Sequence, residues 1–146
     1  MSDTHPRVTV CRRISFSSGH RCFNPAWTEE ENRRAFGSHY SEDGRGHNFM
    51  LEAYFEGPID PVTGMVVNLK DIDRLLKRVT EPLDHHFLNT DVAEFRGVVP
   101  TAERIAVYCF ERIREAMGEG RIRLRRVRLF EGFDLWVDCE EESQCP

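Results

Sequence analysis

The sequence predicts an α+β fold in which a four-stranded antiparallel sheet is covered on one face by two helices. Two segments near the N-terminus and two near the C-terminus alternate polar and apolar residues, as half-buried strands do. Two segments between them carry apolar residues at helical spacing. The order is therefore β-β-α-α-β-β. With 146 residues, 40% of them hydrophobic, residues 1–146 suit a single domain.

The first two strands are predicted from this alternation. Residues 8–16 place one set of apolar side chains on a common face, namely Val8, Val10, Ile14 and Phe16. The second strand repeats the pattern with Phe49, Leu51, Ala53 and Phe55, and a turn is expected at Gly57-Pro58. Between the strands, Thr28 and Glu31 form a capping box, which predicts an additional short helix reaching about Phe36.

Two longer amphipathic helices follow. The first covers residues 68–80 and is closed by Pro82; its apolar positions are Leu69, Ile72, Leu75, Leu76 and Val79. The second begins after Pro100 and ends at Gly118. Each helix has one apolar face that can pack on the sheet.

The last two strands are predicted over residues 121–130 and 133–139, joined near Gly132 as a tight hairpin. The first of them is rich in arginine, and alternate positions are Arg121, Arg123 and Arg125. This pattern favours a solvated sheet face over a phosphate-binding patch. The glutamate-rich tail after Cys139 is expected to be a frayed terminus.

Composition excludes several classes of protein. A net charge of -5 argues against a protein that holds nucleic acid mainly by charge, so no nucleic-acid partner is expected. The sequence has neither the apolar core of a secretory signal nor a membrane span, which favours a cytoplasmic protein without a membrane partner. The five cysteines are odd in number and form no C-x-x-C pair, which favours reduced thiols.

The histidines are the most informative polar residues. His20 ends the first strand and His47 opens the second, so both are expected at neighbouring strand ends. Two imidazoles with a third donor make an open zinc site. His39 lies in the loop between these strands, and the pair Asp84-His85 follows the first long helix. Any one histidine is more often structural than a ligand, but their grouping favours a functional site.

Six motifs occur in order along nearly the whole chain, namely FSSGH, GRGHNF, IDPVTGMVVNLKDI, LDHHFLN, PTAERIAVY and LFEG. Together they resemble the 6-pyruvoyl-tetrahydropterin synthases and the similar 6-carboxy-tetrahydropterin synthases of tetrahydrobiopterin and queuosine biosynthesis. The resemblance implies the T-fold, in which the sheets of three subunits close into a barrel. Two such rings stack as a homo-hexamer, with active sites at subunit interfaces.

The resemblance also implies a zinc site, in which His20 and His47 are ligands. Arg45 occupies the position of the family's other ligand histidine, and His39 occupies the position of its cysteine base. Two interpretations remain open. In one, His39 is the third zinc ligand and Arg45 binds substrate phosphate or a carboxylate. In the other, the site has lost its metal, because arginine has no lone pair to offer one. The positive charge of the Arg45 guanidinium then takes the place of the cation.

The remaining matched residues suggest a pterin site. Asp84 would orient His85 as a proton shuttle, or the turn would only cap backbone groups. Glu131 would grip the pterin ring through paired hydrogen bonds. Thr101 and Glu103 match a stretch that helps to hold the ring, and their simpler roles are helix cap and first-turn charge.

The function implied is that of a zinc-dependent lyase acting on 7,8-dihydroneopterin triphosphate. The alternative is a family member that binds pterin without turnover, because the cysteine base is replaced. A metal-bound imidazole cannot also accept a proton, so His39 cannot be both ligand and base. If His39 binds zinc, His85 is the remaining base, whereas if the metal is absent His39 is free to be the base.

Overall fold

The computed structural model describes residues 6–142, in which alternating side chains build five strands. The strands are β1 (Val8–His20), β2 (Arg45–Gly57), β3 (His86–Phe87), β4 (Arg123–Glu131) and β5 (Trp136–Glu140). The helices are α1 (Glu29–Phe36), α2 (Leu69–Thr80), α3 (Leu88–Asp91) and α4 (Ala102–Met117). Short 3₁₀ turns cover Gly37–Tyr40 and Ala93–Phe95.

The strands form one sheet in the order β3-β1-β2-β4-β5. The predicted four antiparallel strands are present, but the prediction of a four-stranded sheet is wrong, because β3 adds a fifth strand parallel to β1. This strand pairs only Ser18 with His86 and Gly19 with Phe87. A strand of two residues has no measurable periodicity, so alternation cannot detect it.

The first two strands are longer than the alternation indicated. Their pairing runs without interruption from Val8 opposite Gly57 to His20 opposite Arg45. The added residues are mostly small or polar, and they extend the backbone ladder without adding apolar side chains. As a consequence, His20 ends β1 and His47 lies near the start of β2 on a rigid part of the sheet.

The long helices cover one face of the sheet, as predicted. Their buried side chains meet those of β2 and β4 in a single core, whose largest members include Phe49, Phe55, Leu51, Leu76, Ile105, Ile113 and Leu129. Asn68 and Thr101 cap α2 and α4, and the capping box of Thr28 and Glu31 starts α1. These caps fix where each helix begins and so where its apolar face points.

A register shift in the pairing of β2 with β4 decides which side chains of β4 reach the core. Leu124 lies opposite Phe55 and Arg126 lies opposite Tyr54, which leaves an extra residue in β4. After this bulge the core-facing positions are Val127, Leu129 and Glu131, of which the first two are fully buried. Uninterrupted alternation from Leu124 would have turned Glu131 to the opposite face.

That opposite face is polar. Arg125 donates a hydrogen bond to the Glu56 carboxylate, and Arg128 forms a bidentate pair with Asp138. Arg126 makes a single contact with Glu140, through its Nε, across β4 and β5. The arginines of this strand are therefore matched by carboxylates within the chain, as a solvated sheet face requires.

The C-terminal hairpin is antiparallel as predicted, but the connection is not a tight turn. It spans residues 132–135, where Gly132 adopts a positive φ of 78° and Glu131 N–H donates to the Leu135 carbonyl. Glu140 still belongs to β5, whereas the rest of the predicted frayed tail from residue 143 onward, with Cys145, lies outside the described residues. None of the described helices is both long enough and apolar enough to span a membrane.

Candidate functional site

Three strand ends meet at one corner of the sheet. His20 is the last residue of β1, His47 lies opposite Ser18 near the start of β2, and Glu131 ends β4 opposite Phe49. Because the strands are adjacent and the β4 bulge sets the parity of Glu131, all three side chains converge on the helix-covered side. We call His20, His47 and Glu131 the three-donor cluster.

The donor atoms of this cluster lie within 4.8 Å of one another. Oε1 of Glu131 is 2.9 Å from Nε2 of His47 and 3.4 Å from Nε2 of His20. The Nδ1 atom of His20 lies 2.8 Å from the Pro100 carbonyl oxygen, which fixes the ring with Nε2 directed at the cluster. The ring of Phe49 packs against both imidazoles at centroid distances of 5.8 and 5.7 Å.

The cluster has the properties of a metal-binding site. Within the described part of the chain, the buried Nε2 atoms of His20 and His47 have no partner in hydrogen-bonding geometry. Buried polar atoms are normally paired, so two orphaned nitrogens beside a carboxylate indicate that a cation belongs between them. Two imidazoles and a carboxylate are a known ligand set for an open zinc site. The residues present therefore fit zinc.

The surroundings of the cluster shift the pKa values of its two imidazoles in opposite directions. Burial opposes protonation of His20, but polar contacts with Cys22, Glu131 and the Pro100 carbonyl outweigh it and raise the His20 pKa to about 9. Burial lowers the pKa of His47 despite the nearby carboxylate. Contact with His20 lowers the pKa of Glu131, although burial acts in the other direction. The carboxylate is therefore ionised at neutral pH.

The loop between α1 and β2 brings Arg45 and His39 to the mouth of the site. Arg45 Nη2 donates to Ser38 Oγ at 2.8 Å, and the backbone N–H of Cys22 donates to the His39 carbonyl at 2.9 Å. Both side chains are exposed, and neither is part of the three-donor cluster. Their charges act to lower the pKa of His47, which places both within electrostatic range of the site.

The predicted pair Asp84 and His85 lies on the outer edge of β1. Asp84 Oδ1 accepts from the Ser17 N–H at 2.9 Å, and His85 Nε2 is 3.6 Å from the same oxygen. His85 has a φ of 59°, a strained value for a non-glycine residue, while its N–H donates to the Ser17 carbonyl at 2.6 Å. The imidazole is 81% exposed and contacts no member of the three-donor cluster.

The neighbouring His86 is the first residue of β3, and its Nδ1 lies 2.8 Å from the Asp84 carbonyl oxygen. Thr101 acts as a helix cap, because its hydroxyl accepts from the Arg104 N–H. Glu103 is an exposed first-turn charge. For these residues the described contacts are those of ordinary backbone capping, and the pterin roles of Thr101 and Glu103 remain predictions.

Three residues that position the site were not predicted. Phe49 supports both imidazoles, and the Pro100 carbonyl orients His20. Asn89 holds the segment after His20, because its side chain accepts from the Arg21 N–H and donates to the Arg21 carbonyl, each at 2.8 Å. Asn89 belongs to the LDHHFLN motif, which was its only sequence signal. Carbonyl contacts such as that of Pro100 leave no signal in a sequence.

The sheet, its two covering helices and the three-donor cluster define an α+β protein with a candidate metal site, and comparison with known proteins gives its family. Residues 9–142 match the family model for 6-pyruvoyl tetrahydropterin synthase. The 6-pyruvoyl tetrahydrobiopterin synthase of Pongo abelii is 40% identical over 126 residues, which are 86% of this chain and 86% of that protein. The corresponding Homo sapiens protein is 39% identical over the same shares.

The solved structure of Caenorhabditis elegans 6-pyruvoyl tetrahydropterin synthase superposes with a TM-score of 0.88 at 30% identity, covering 94% of this chain and 97% of that chain. The chain belongs to the 6-pyruvoyl tetrahydropterin synthase family. The resemblance carried by the six motifs is confirmed, and with it the α+β fold of the family's subunit.

Proposed function

We propose that the protein is a lyase that acts on 7,8-dihydroneopterin triphosphate and forms a 6-pyruvoyl-tetrahydropterin. The observation that carries this proposal is the three-donor cluster, which is intact in a chain that matches the family along residues 9–142. Relatives named for the 6-pyruvoyl product, at about 40% identity, favour that product over a 6-carboxy pterin.

Zinc is the proposed cofactor, held by His20 and His47 with a third protein ligand. A bound zinc ion would polarise a side-chain hydroxyl of the substrate and stabilise the negative charge that develops on its oxygen. The hydrogen bond from His20 to the Pro100 carbonyl keeps the correct ring nitrogen directed at the site. The Glu131 carboxylate accepts hydrogen bonds from the pterin ring, and the start of α4 with Thr101 and Glu103 closes the ring's other side.

Proton movement is assigned to His85, with Asp84 as its positioning residue. The Asp84 carboxylate is fixed by the Ser17 N–H and lies 3.6 Å from His85 Nε2, so it favours one ring orientation. The exposed imidazole can exchange its proton with solvent between turnovers. His39, which replaces the family's cysteine, supplies a second imidazole at the mouth of the site.

The proposed conversion needs no outside oxidant or reductant. A proton leaves a side-chain carbon as triphosphate leaves the neighbouring carbon, and the resulting enol becomes a ketone. The remaining side-chain alcohol is then oxidised to a ketone as the ring C=N bond is reduced, by a shift of protons between carbon, oxygen and nitrogen. The chain must therefore move protons and stabilise oxyanions, which are the functions assigned to its residues.

A binding protein without turnover is the second candidate, and the replacement of the cysteine base by His39 favours it. The experiment that separates the two candidates incubates the zinc-loaded protein with the substrate and analyses the pterin by mass spectrometry. The lyase yields a pterin lighter than the substrate by the elements of triphosphoric acid. Recovery of unchanged substrate bound to the protein would support the second candidate.

Arg45 is proposed to bind the substrate's triphosphate. It is an exposed cation at the start of β2, two residues from His47, and its guanidinium can grip phosphate by paired hydrogen bonds. Replacing Arg45 by alanine is expected to raise KM for the triphosphate by about tenfold or more, because a charge-assisted contact is worth about 1.5 to 3 kcal/mol. Affinity for neopterin without phosphate, measured by fluorescence, should change little, and an equal loss for both ligands would contradict the assignment.

A homo-oligomer, specifically a hexamer of two stacked rings, is proposed for the assembled protein. Support comes from two open sheet edges. Among the described residues, only Ser18 and Gly19 of β1 pair with a strand on its outer side, and β5 is the other edge of the sheet. An open sheet edge can pair with a strand of another copy, so β5 of one copy and β1 of the next are the edges proposed to join.

Light scattering at micromolar concentration should therefore give the mass of six copies. Glu140→Lys is expected to weaken the assembly, since it replaces the Arg126–Glu140 ion pair on β5 by two like charges at the edge proposed to pair with the next copy. Glu119→Lys makes the same charge change in the turn after α4 and serves as the control. A monomeric wild-type protein would contradict the assembly. The free thiols of Cys11, Cys22, Cys109 and Cys139 favour a reducing compartment, and we propose the cytoplasm.

A further inference from the structure

We propose that Glu131 is the third protein ligand of the metal in this chain, in the place of an imidazole. The inference rests on the proposed function only in taking the site to hold zinc. It assigns to Glu131 a role beyond contact with a pterin, and it removes His39 from the metal.

The first argument is where the donor atoms point. His20 and His47 direct their Nε2 atoms at a single oxygen, Oε1 of Glu131, at 3.4 and 2.9 Å. Neither nitrogen makes a hydrogen bond in suitable geometry, although both are buried. A hydrogen-bonded arrangement would satisfy at least one of them. Three donors that approach one point without pairing are the arrangement expected around a cation.

The second argument concerns the carboxylate. The Glu131 side chain is only 11% exposed, and within residues 6–142 its only ion-pair partners are the imidazoles of His20 and His47, the same two groups that face the proposed metal. A buried charge is costly unless it is paired or coordinates a metal. The β4 bulge is what turns Glu131 to this side of the sheet, so its placement follows from the backbone.

The third argument excludes Arg45 and His39 as the third metal ligand. Arg45 has no lone pair to offer a metal. The exposed His39 side chain lies on the Gly37–Tyr40 turn and is outside the three-donor cluster. Of the described residues with nitrogen, sulfur or carboxylate donors, only Glu131 completes a group of three with His20 and His47.

This assignment is compatible with pterin binding, because a carboxylate has two oxygens. Oε1 faces the imidazoles, which leaves Oε2 to accept a hydrogen bond from the pterin ring. It also leaves both ring nitrogens of His39 free. His39 is then available to exchange protons at the mouth of the site, where the family has its cysteine.

The test measures zinc affinity on the full chain without any pterin. Protein stripped of metal is titrated with zinc in competition with a chromophoric chelator, for the wild type, Glu131→Gln and His39→Gln. Loss of an outer hydrogen-bonding partner of a metal ligand already costs about 10- to 100-fold in affinity, so loss of a ligand should cost more than 100-fold. We expect that loss for Glu131→Gln and a change of less than about threefold for His39→Gln.

Two controls keep the test decisive. Circular dichroism melting of the metal-free variants confirms that each is folded, and Glu131→Asp, which keeps a carboxylate, should retain more zinc than Glu131→Gln. In the second control, Arg45→His is added to Glu131→Gln. Position 45 shares the parity of His47 and lies opposite His20, so this imidazole should restore zinc binding by at least tenfold.

Unchanged zinc affinity in folded Glu131→Gln would overturn the proposal, and so would an equal loss in His39→Gln. A wild-type protein that binds no zinc would overturn it as well. Because no substrate is present, these results are independent of whether the protein turns over a pterin. Failure of the lyase reaction with normal zinc binding would affect only the proposed function.

Discussion

Replacing His85 by alanine is expected to lower the turnover of 7,8-dihydroneopterin triphosphate by about 10² to 10⁴-fold, the usual value of one positioned acid or base. The imidazole is held beside the Asp84 carboxylate at the edge of β1 and contacts no residue of the three-donor cluster. Zinc affinity and the binding of unreactive neopterin should therefore stay within about threefold of the wild type. Steady-state kinetics and zinc titration on the same preparation measure both.

His86→Ala is the matched control for this variant. His86 is the next residue, and its ring contacts only the Asp84 carbonyl in the described hydrogen bonds, so its loss should leave turnover nearly unchanged. Full activity in His85→Ala would remove His85 from the mechanism and would shift proton transfer to His39. A loss of zinc binding in His85→Ala would indicate a structural effect instead.

Replacing Phe49 by alanine is expected to lower the free energy of unfolding by about 3 to 5 kcal/mol, as for other buried phenylalanines. Its ring is 1% exposed, stacks on Phe16 at 5.2 Å, and supports the imidazoles of His20 and His47. The substitution leaves a cavity directly beneath the site, so zinc affinity should fall together with stability.

Chemical denaturation of the metal-free protein measures the change in the free energy of unfolding alone, because bound zinc would add its own stabilisation. The comparison is made at one protein concentration, since assembly also stabilises the folded chain. Phe133→Ala is the control: this side chain is 92% exposed at the hairpin, and its loss should change stability by less than about 0.5 kcal/mol. Equal effects of the two substitutions would contradict the described core.

Periodicity predicted the four main strands and both long helices because each buries a continuous face. It underestimated β1 and β2 where Ser17, Ser18 and Gly46 extend the ladder without apolar side chains. It could not detect β3, whose two residues pair through the backbone alone. The β4 bulge was also invisible, because an extra residue in one strand depends on the register with its neighbour.

The candidate site could also be predicted only in part, because some of its geometry depends on the register between strands. The strand ends placed His20 and His47 together, and sequence motifs drew attention to Glu131, Asp84 and His85. The position of Glu131 against both imidazoles depends on the bulge, so the sequence suggested a pterin contact and not a metal ligand. The loop shared by His39 and Arg45 suggests that His39 compensates for the missing ligand histidine, but the exposed turn keeps its side chain outside the cluster.

Phosphorus NMR of the zinc-loaded protein with 7,8-dihydroneopterin triphosphate tests the proposed lyase activity most directly. We expect the ester-linked phosphate resonance to disappear as the resonances of free triphosphate grow in equal amount, with no monophosphate formed. This result requires triphosphate to leave as one unit, and a pterin product lighter by one water than 7,8-dihydroneopterin shows that it left by elimination and not by hydrolysis of the ester. Phosphate resonances that shift or broaden on binding but keep their full intensity over hours would contradict the proposal and would identify a pterin-binding protein without turnover.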